Sequence, residues 1–184
     1  MNIANKLTIL RILLIPFFIL CFYIDSLNQP LSLLGFDTTY AHVVALFIFS
    51  VAAATDWLDG YLARKLSLIS DFGKFMDPLA DKMLTTAAFL IFIDQGLLAS
   101  WVVFAILTRE FIVSGLRMTA ASKGVVIAAG WSGKFKTVLQ MILVIALLIH
   151  PELTVLNVVL IYAMTIATVV SGIEYVVKNL TVFK

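Results

Sequence analysis

Four aspartates at helical spacing are the residues of this chain best suited to do chemistry. Asp56 and Asp59 are three residues apart, and Asp77 and Asp81 are four apart. On a helix, each pair lies on one face. A short connector between the two segments predicts antiparallel neighbouring helices, so the four carboxylates can converge at one end of the pair.

Clustered carboxylates repel one another, and within a membrane each costs roughly 3 kcal/mol on insertion scales. A bound cation offsets that cost. Ligation by oxygen atoms alone suits Mg²⁺, Mn²⁺ or Ca²⁺. The chain has two histidines and one cysteine, which nearly excludes a zinc site. The aspartates therefore predict a site for a hard divalent cation.

Small and basic residues accompany the aspartates at the same helical spacing. Gly60 and Ala63 remove side-chain bulk from the face of the first pair, and Gly73 does so for the second pair. Arg64 presents a fork of donors suited to a phosphate. Taken alone, the small residues are equally typical of helix packing, and Arg64 of an ordinary membrane anchor.

The composition indicates which elements must position these residues. Of 184 residues, 62% are hydrophobic and 13% are charged, whereas soluble domains carry about 25% charged residues. We therefore expect a polytopic all-α membrane protein, a single membrane-embedded domain over residues 1–184 with a juxtamembrane segment at about 1–11. Its six predicted transmembrane segments are Leu7–Ile24, His42–Ala63, Pro78–Ile93, Leu97–Ala120, Phe135–Ile149 and Leu153–Val177.

The first apolar segment follows Lys6 and Arg11, as the apolar part of a cleaved signal peptide would. No small-x-small cleavage pattern follows it, so we expect a retained membrane anchor.

The charges between these segments predict an orientation. Connectors around 25–41, 94–96 and 150–152 contain acidic residues and none of the thirteen lysines and arginines. Basic residues favour the cytoplasmic side of a membrane. We therefore expect both termini and the aspartate cluster on the cytoplasmic side of the cell membrane.

The string D-x2-D-G-x2-A-R-x8-G-x3-D-x3-D runs without a gap from Asp56 to Asp81. It resembles the motif of the CDP-alcohol phosphatidyltransferases. The resemblance implies six transmembrane helices and a homodimer. It also implies Mg²⁺ or Mn²⁺ held by Asp56, Asp59 and Asp77, with Asp81 as general base and possible fourth ligand.

The same resemblance implies a pocket for the cytidine diphosphate head of a lipid. Asn5, Thr8 and Arg11 are similar to a short N-terminal element of the family, although Asn5 and Thr8 are also typical of residues that cap a first helix. The residues assigned to the pocket are Asn5, Thr8, Asp56, Asp59, Gly60, Ala63, Arg64 and Gly73.

Within the family, the chain is most similar to members that use glycerol 3-phosphate. Basic residues at helices four and five, Arg109, Arg117 and Lys134, would hold the acceptor phosphate. Each lone cation is also typical of a headgroup anchor, except Arg109, which lies within an apolar segment beside Glu110.

The expected reaction is CDP-diacylglycerol plus sn-glycerol 3-phosphate giving phosphatidylglycerophosphate and CMP. The expected partners are these substrates, membrane lipids and a second copy of the chain, with no nucleic acid. Alternatives are a sister enzyme using phosphatidylglycerol (for cardiolipin) or inositol phosphate, or a metal-ion transporter.

Overall fold

The computed structural model describes residues 3–33, 35–65, 71–124, 127 and 130–179. For 56–65, 71–75 and positions 3, 4, 33, 36, 77, 78 and 81, the description covers the backbone only. Within these ranges the protein has six long helices: α1 (Ile3–Leu20), α2 (Tyr40–Lys65), α3 (Asp71–Asp94), α4 (Ser100–Ser122), α5 (Trp131–Ile149) and α6 (Val155–Lys178). This confirms the all-α architecture.

Three spans of the described chain are long and apolar enough to cross a membrane by themselves. They are Asn5–Tyr23, Trp131–Ile149 and Val155–Lys178, and a shorter apolar stretch covers Tyr40–Thr55. The other helices carry the acidic motif or charged residues such as Arg109 and Arg117. The charged residues that lower the hydropathy of these helices are therefore the same ones that are predicted to form the site.

The third helix begins before the predicted transmembrane segment. That segment starts at Pro78, and Asp71-Phe72-Gly73 is typical of a turn, yet α3 begins at Asp71 and includes Gly73 and Asp77. α1 likewise contains Pro16. An internal proline removes one backbone hydrogen bond and kinks a helix, and neighbouring helices in a membrane protein can accommodate that defect.

A β-hairpin between α1 and α2 was not predicted. Strands β1 (Pro30–Leu33) and β2 (Phe36–Thr39) pair antiparallel, with Pro30 opposite Thr39. The turn contains Gly35 at φ +85°, a conformation that glycine adopts at low cost. Two four-residue strands carry too little alternation for a sequence pattern to identify them.

The contacts group the chain into two compact units. The first comprises Met1–Asp94 and Ile145–Pro151, and the second comprises Gln95–Val144 and Glu152–Lys184. In the first unit, α1 packs against both α2 and α3. In the second, α4 packs against α6.

Phe18 lies at the centre of the contact between α1 and α2. It is fully buried, and its ring lies 5.7 Å from Phe22 and 6.4 Å from Phe49, between ring centroids. The edge-to-face and tilted arrangements are those that aromatic pairs prefer. Phe17, the adjacent residue, is 61% exposed.

Phe18→Ala should lower the free energy of unfolding by at least about 2 kcal/mol, because packing contacts are lost even where lipid replaces water as solvent. Thermal unfolding in detergent measures the effect. Phe17→Ala is the matched control, and equal midpoints for the two variants would contradict this account of the core.

Candidate active site

The backbone of α2 is helical to Lys65 and that of α3 from Asp71. The predicted helical spacing of the two aspartate pairs is therefore confirmed. Asp56 and Asp59 lie in the last ten residues of α2, while Asp77 and Asp81 lie in the first half of α3. The two helices contact each other, and residues 66–70 connect them outside the described residues.

The side chains of the predicted metal and nucleotide residues on these helices lie outside the described part of the structure. They are Asp56, Asp59, Gly60, Ala63, Arg64, Gly73, Asp77 and Asp81. Their assignment to metal binding, general base catalysis and the cytidine diphosphate pocket therefore stays a prediction. The backbone establishes that both halves of the motif are helical.

A polar face on α1 packs within the same unit. Asn5 is 8% exposed, and Thr8 and Arg11 are fully buried. Both Asn5 and Thr8 lie inside α1, which begins at Ile3, so Thr8 cannot be the residue that caps this helix. Buried polar and charged side chains in a membrane segment are costly and usually functional.

The relative direction of α1 and α2 places the polar face of α1 near the aspartate motif. Arg11 Nε donates a hydrogen bond to the backbone oxygen of Ala52 at 3.3 Å, whereas further along α1 Phe18 meets Phe49. α1 and α2 therefore run antiparallel. Extended by the same register, the first turns of α1 lie beside the part of α2 that follows Ala52 and carries Asp56 and Asp59.

The second unit contains a cluster of charges that joins α4 to α5. Arg109 Nη1 donates to Glu110 Oε1 at 2.9 Å, and the same carboxylate oxygen accepts from Lys136 Nζ. The exposed fractions of the three side chains are 11% for Arg109, 15% for Glu110 and 3% for Lys136. Two cations thus share one carboxylate oxygen in the contacts of the described residues.

Arg109 retains unused hydrogen-bonding capacity. Its Nε is buried and has no hydrogen-bond partner within the described residues. Leaving a buried donor unsatisfied costs about 1–3 kcal/mol, and more for a charged group. An anion bound beside Arg109 would supply the missing acceptor.

The other two predicted acceptor residues have different surroundings. Arg117 Nε donates to the hydroxyl oxygen of Tyr175 at 3.2 Å, and its guanidinium lies 5.6 Å from the Tyr175 ring centroid. Lys134 is exposed, with Nζ 5.2 Å from the ring centroid of Trp131. In the contacts of the described residues, Arg109, Arg117 and Lys134 thus have separate partners and do not form one cluster.

Lys136 lies in the same basic stretch as Lys134 but was not assigned to the acceptor site from the sequence. Lys134 and Lys136 are two residues apart and cannot share a helix face. The buried residues of α5 include Lys136, Gln140, Leu143 and Val144, a spacing of four, three and one. Residues 141–149 are all apolar, so apolar periodicity does not single out the buried face, although Lys136 and Gln140 are four residues apart and lie on one face.

An open cavity of about 430 Å³ lies between α4 and α6 of the same unit. Phe104, Thr108 and Ile112 line one side, and Thr168, Gly172 and Val176 line the other, with Arg109 also in the wall. The volume is within the range of about 300–1,000 Å³ that is typical of ligand pockets. Its wall is mostly hydrocarbon.

Comparison with known proteins places the motif in a family. The family model for CDP-alcohol phosphatidyltransferase matches residues 1–171. A CDP-diacylglycerol–glycerol-3-phosphate 3-phosphatidyltransferase of Bacillus subtilis (strain 168) is 43% identical over 183 residues, covering 97% of this chain and 95% of the relative.

Two further relatives are similar over nearly the whole chain. A probable phosphatidylglycerophosphate synthase of Mycobacterium tuberculosis (strain ATCC 25618 / H37Rv) is 39% identical, covering 97% of this chain and 82% of the relative. A CDP-diacylglycerol–glycerol-3-phosphate 3-phosphatidyltransferase of Escherichia coli (strain K12) is 35% identical, covering 95% of this chain and 92% of the relative. The ungapped motif, its helical backbone and these matches together show that the chain belongs to the CDP-alcohol phosphatidyltransferase family.

Proposed function

We propose that this membrane protein transfers the phosphatidyl group of CDP-diacylglycerol to sn-glycerol 3-phosphate, giving phosphatidylglycerophosphate and CMP. The observation that carries the proposal is the near-complete coverage of relatives whose names specify this reaction, at 35–43% identity. These names favour glycerol 3-phosphate over phosphatidylglycerol or inositol phosphate. Membership of a transferase family also argues against the metal-ion transporter.

The proposed reaction is a displacement at phosphorus. The primary hydroxyl oxygen of the acceptor attacks the phosphorus that carries the diacylglycerol, and the bond from that phosphorus to the oxygen bridging to CMP breaks. The hydroxyl proton passes to the carboxylate of Asp81, acting as general base. The bond electrons leave with CMP, so charge and atoms balance.

Hard oxygen donors are the chemistry that the α2 and α3 motif offers to a cation. We propose that Asp56, Asp59 and Asp77, with Asp81 as a possible fourth ligand, hold Mg²⁺ or Mn²⁺. When bound, the metal would neutralise the pyrophosphate and the leaving group. Asn5 and Thr8 would contact the nucleotide from α1, and the antiparallel register of α1 and α2 supports this assignment.

The acceptor phosphate is assigned to the cations of α4 and α5. Arg109 has the strongest support, because its side chain is 11% exposed and its buried Nε has no hydrogen-bond partner within the described residues. Arg117 and Lys134 are proposed as additional contacts. Phosphate oxygens suit the planar fork of an arginine particularly well.

The orientation proposed for the protein follows from its charges. Connectors around 25–41, 94–96 and 150–152 hold none of the thirteen basic residues. Both termini and the active site would then face the cytoplasm, where the polar acceptor is dissolved. The many exposed apolar side chains, such as Phe104 and Phe111, would contact membrane lipids or a second copy in the proposed homodimer.

Removal of divalent metal should abolish CMP release from CDP-diacylglycerol. Detergent-purified protein is treated with EDTA, assayed, and assayed again after addition of excess Mg²⁺ or Mn²⁺. We expect activity to return with either ion, because carboxylate ligands accept both. Full turnover after chelation would contradict the metal assignment.

Asp81→Asn should lower kcat by about 10²–10⁴, the usual contribution of positioned proton transfer, while binding of CDP-diacylglycerol persists. CMP release and lipid binding are measured on the same preparation. The control is Asp94→Asn at the other end of α3, where the carboxylate accepts from the Tyr23 hydroxyl at 3.4 Å. Normal turnover by Asp81→Asn would eliminate it as the base.

Arg109→Ala should raise KM for glycerol 3-phosphate about tenfold or more, since it removes charge-assisted hydrogen bonds. KM for CDP-diacylglycerol should stay unchanged. Lys134→Ala should act in the same direction with a smaller effect, because its side chain is exposed. Lys178→Ala, with a side chain 70% exposed beside Glu174, is the control, and an unaltered KM for Arg109→Ala would remove Arg109 from the acceptor site.

A further inference from the structure

The path of the Arg109 side chain depends on a close approach to a glycine of α6. A Cβ atom built on Gly172 would lie 2.9 Å from Arg109 Cγ and 3.7 Å from Arg109 Cβ. Contacts below about 3.0 Å from a real Cβ are essentially never seen. An alanine at position 172 therefore cannot coexist with the present position of the arginine stem.

The clash would involve the atoms of Arg109 nearest the backbone, Cβ and Cγ. Cγ is only two bonds from the backbone, so it moves only by a change of rotamer or by separation of α4 and α6. Either movement displaces the guanidinium, which lies further along the same chain of atoms. The bond from Arg109 Nη1 to Glu110 and the direction of the buried Nε would both change.

A second glycine lies at the far end of the same side chain. A Cβ atom on Gly133, in the first turn of α5, would lie 3.2 Å from Arg109 Nη2. This contact is tight but involves the flexible end of a long side chain, which can shift by a few tenths of an ångström. Gly133 is therefore expected to restrict Arg109 less strictly than Gly172 does.

We propose that Gly172, assisted by Gly133, is a positioning residue that fixes the Arg109 guanidinium for the phosphate of the acceptor. The proposal rests on the proposed function, because it assumes that Arg109 binds that phosphate. Gly172 has no side chain with which to bind the phosphate. The absence of a side chain at Gly172 leaves room for the stem of Arg109 beside α6.

General helix packing is the competing explanation for a glycine between two membrane helices. The two explanations predict different dependence of the Gly172→Ala effect on Arg109. A packing glycine affects the stability of the unit whatever residue occupies position 109. A positioning glycine affects acceptor binding only while Arg109 is present, which a double-mutant cycle can measure.

The matched control is Gly115 on α4. A Cβ at this position meets nothing within 4 Å, and its φ is not positive. Gly115→Ala thus reports the effect of exchanging a helical glycine for alanine, which favours a helix by about 1 kcal/mol in model systems, without a clash at Arg109. Thermal unfolding of every variant in detergent separates loss of folding from loss of binding.

The experiment measures kcat and both KM values for wild type, Gly172→Ala, Gly133→Ala and Gly115→Ala, and for Arg109→Ala with and without Gly172→Ala. Gly172→Ala should raise KM for glycerol 3-phosphate about tenfold, Gly133→Ala about twofold, and Gly115→Ala not at all. KM for CDP-diacylglycerol should be constant throughout. In the Arg109→Ala background, the additional Gly172→Ala change should leave KM unaltered.

The outcomes separate the two levels of the proposal. Wild-type protein that forms no product with glycerol 3-phosphate overturns the proposed function itself. If Arg109→Ala raises KM but Gly172→Ala does not, or if Gly172→Ala has the same effect with and without Arg109, the positioning role alone is overturned. A parallel rise in KM for both substrates would likewise identify Gly172 as a packing residue.

Discussion

A charge placed inside an apolar membrane must be paired, and this constraint governs the structure of the protein. Arg11 is fully buried in α1 and donates to the backbone of α2. Arg109 and Lys136 share the carboxylate of Glu110 in the other unit. Isolated ions in such surroundings carry a desolvation penalty of several kcal/mol each. Arg11 and Lys136 thus find partners on a neighbouring helix, and Arg109 finds its partner on its own helix.

The same constraint explains which features of the fold were predictable. Six apolar stretches separated by breakers predicted six helices, because a backbone in lipid must satisfy its own hydrogen bonds. The predicted ends of α3 and α5 agree with the structure to within one residue, since Gly96 adopts φ +73° just after α3 and Pro151 follows α5. The predicted transmembrane segment starts later than α3, because Asp71-Phe72-Gly73 is typical of a turn and Pro78 is tolerated inside a helix that packs on a neighbour.

The aspartate motif of α2 and α3 was easier to predict from the sequence than the cations of α4 and α5. The aspartate motif could be read from fixed spacing alone, and the helical backbone of α2 and α3 agrees with that spacing. The cations were harder to assign, because a basic residue near a membrane edge has several ordinary uses. Choosing between Lys134 and Lys136 required the orientation of α5, which its uninterrupted apolar residues 141–149 do not reveal.

Contacts between distant residues had no signal in the sequence pattern. Nothing in the sequence near Gly172 indicates that Arg109 crosses it, since the two positions are far apart in the chain and meet only through the packing of α4 on α6. Likewise, the pairing of Arg117 with Tyr175 depends on the relative rotation of those two helices. Periodicity predicts which face of a helix is buried, but the register between helices is set by tertiary packing.

Charged residues and small residues occur together at both candidate sites, and the reason is physical. In a membrane, helices associate through close packing, and small residues permit the closest approach. A long charged side chain buried between helices needs both a partner for its charge and space for its stem. Arg109 finds its partner in Glu110 and its space at Gly172 and Gly133. In the sequence of α2, Gly60 and Ala63 accompany Asp56 and Asp59 in the same manner. A polar site in this membrane fold thus requires the removal of side-chain bulk as much as the presence of charge.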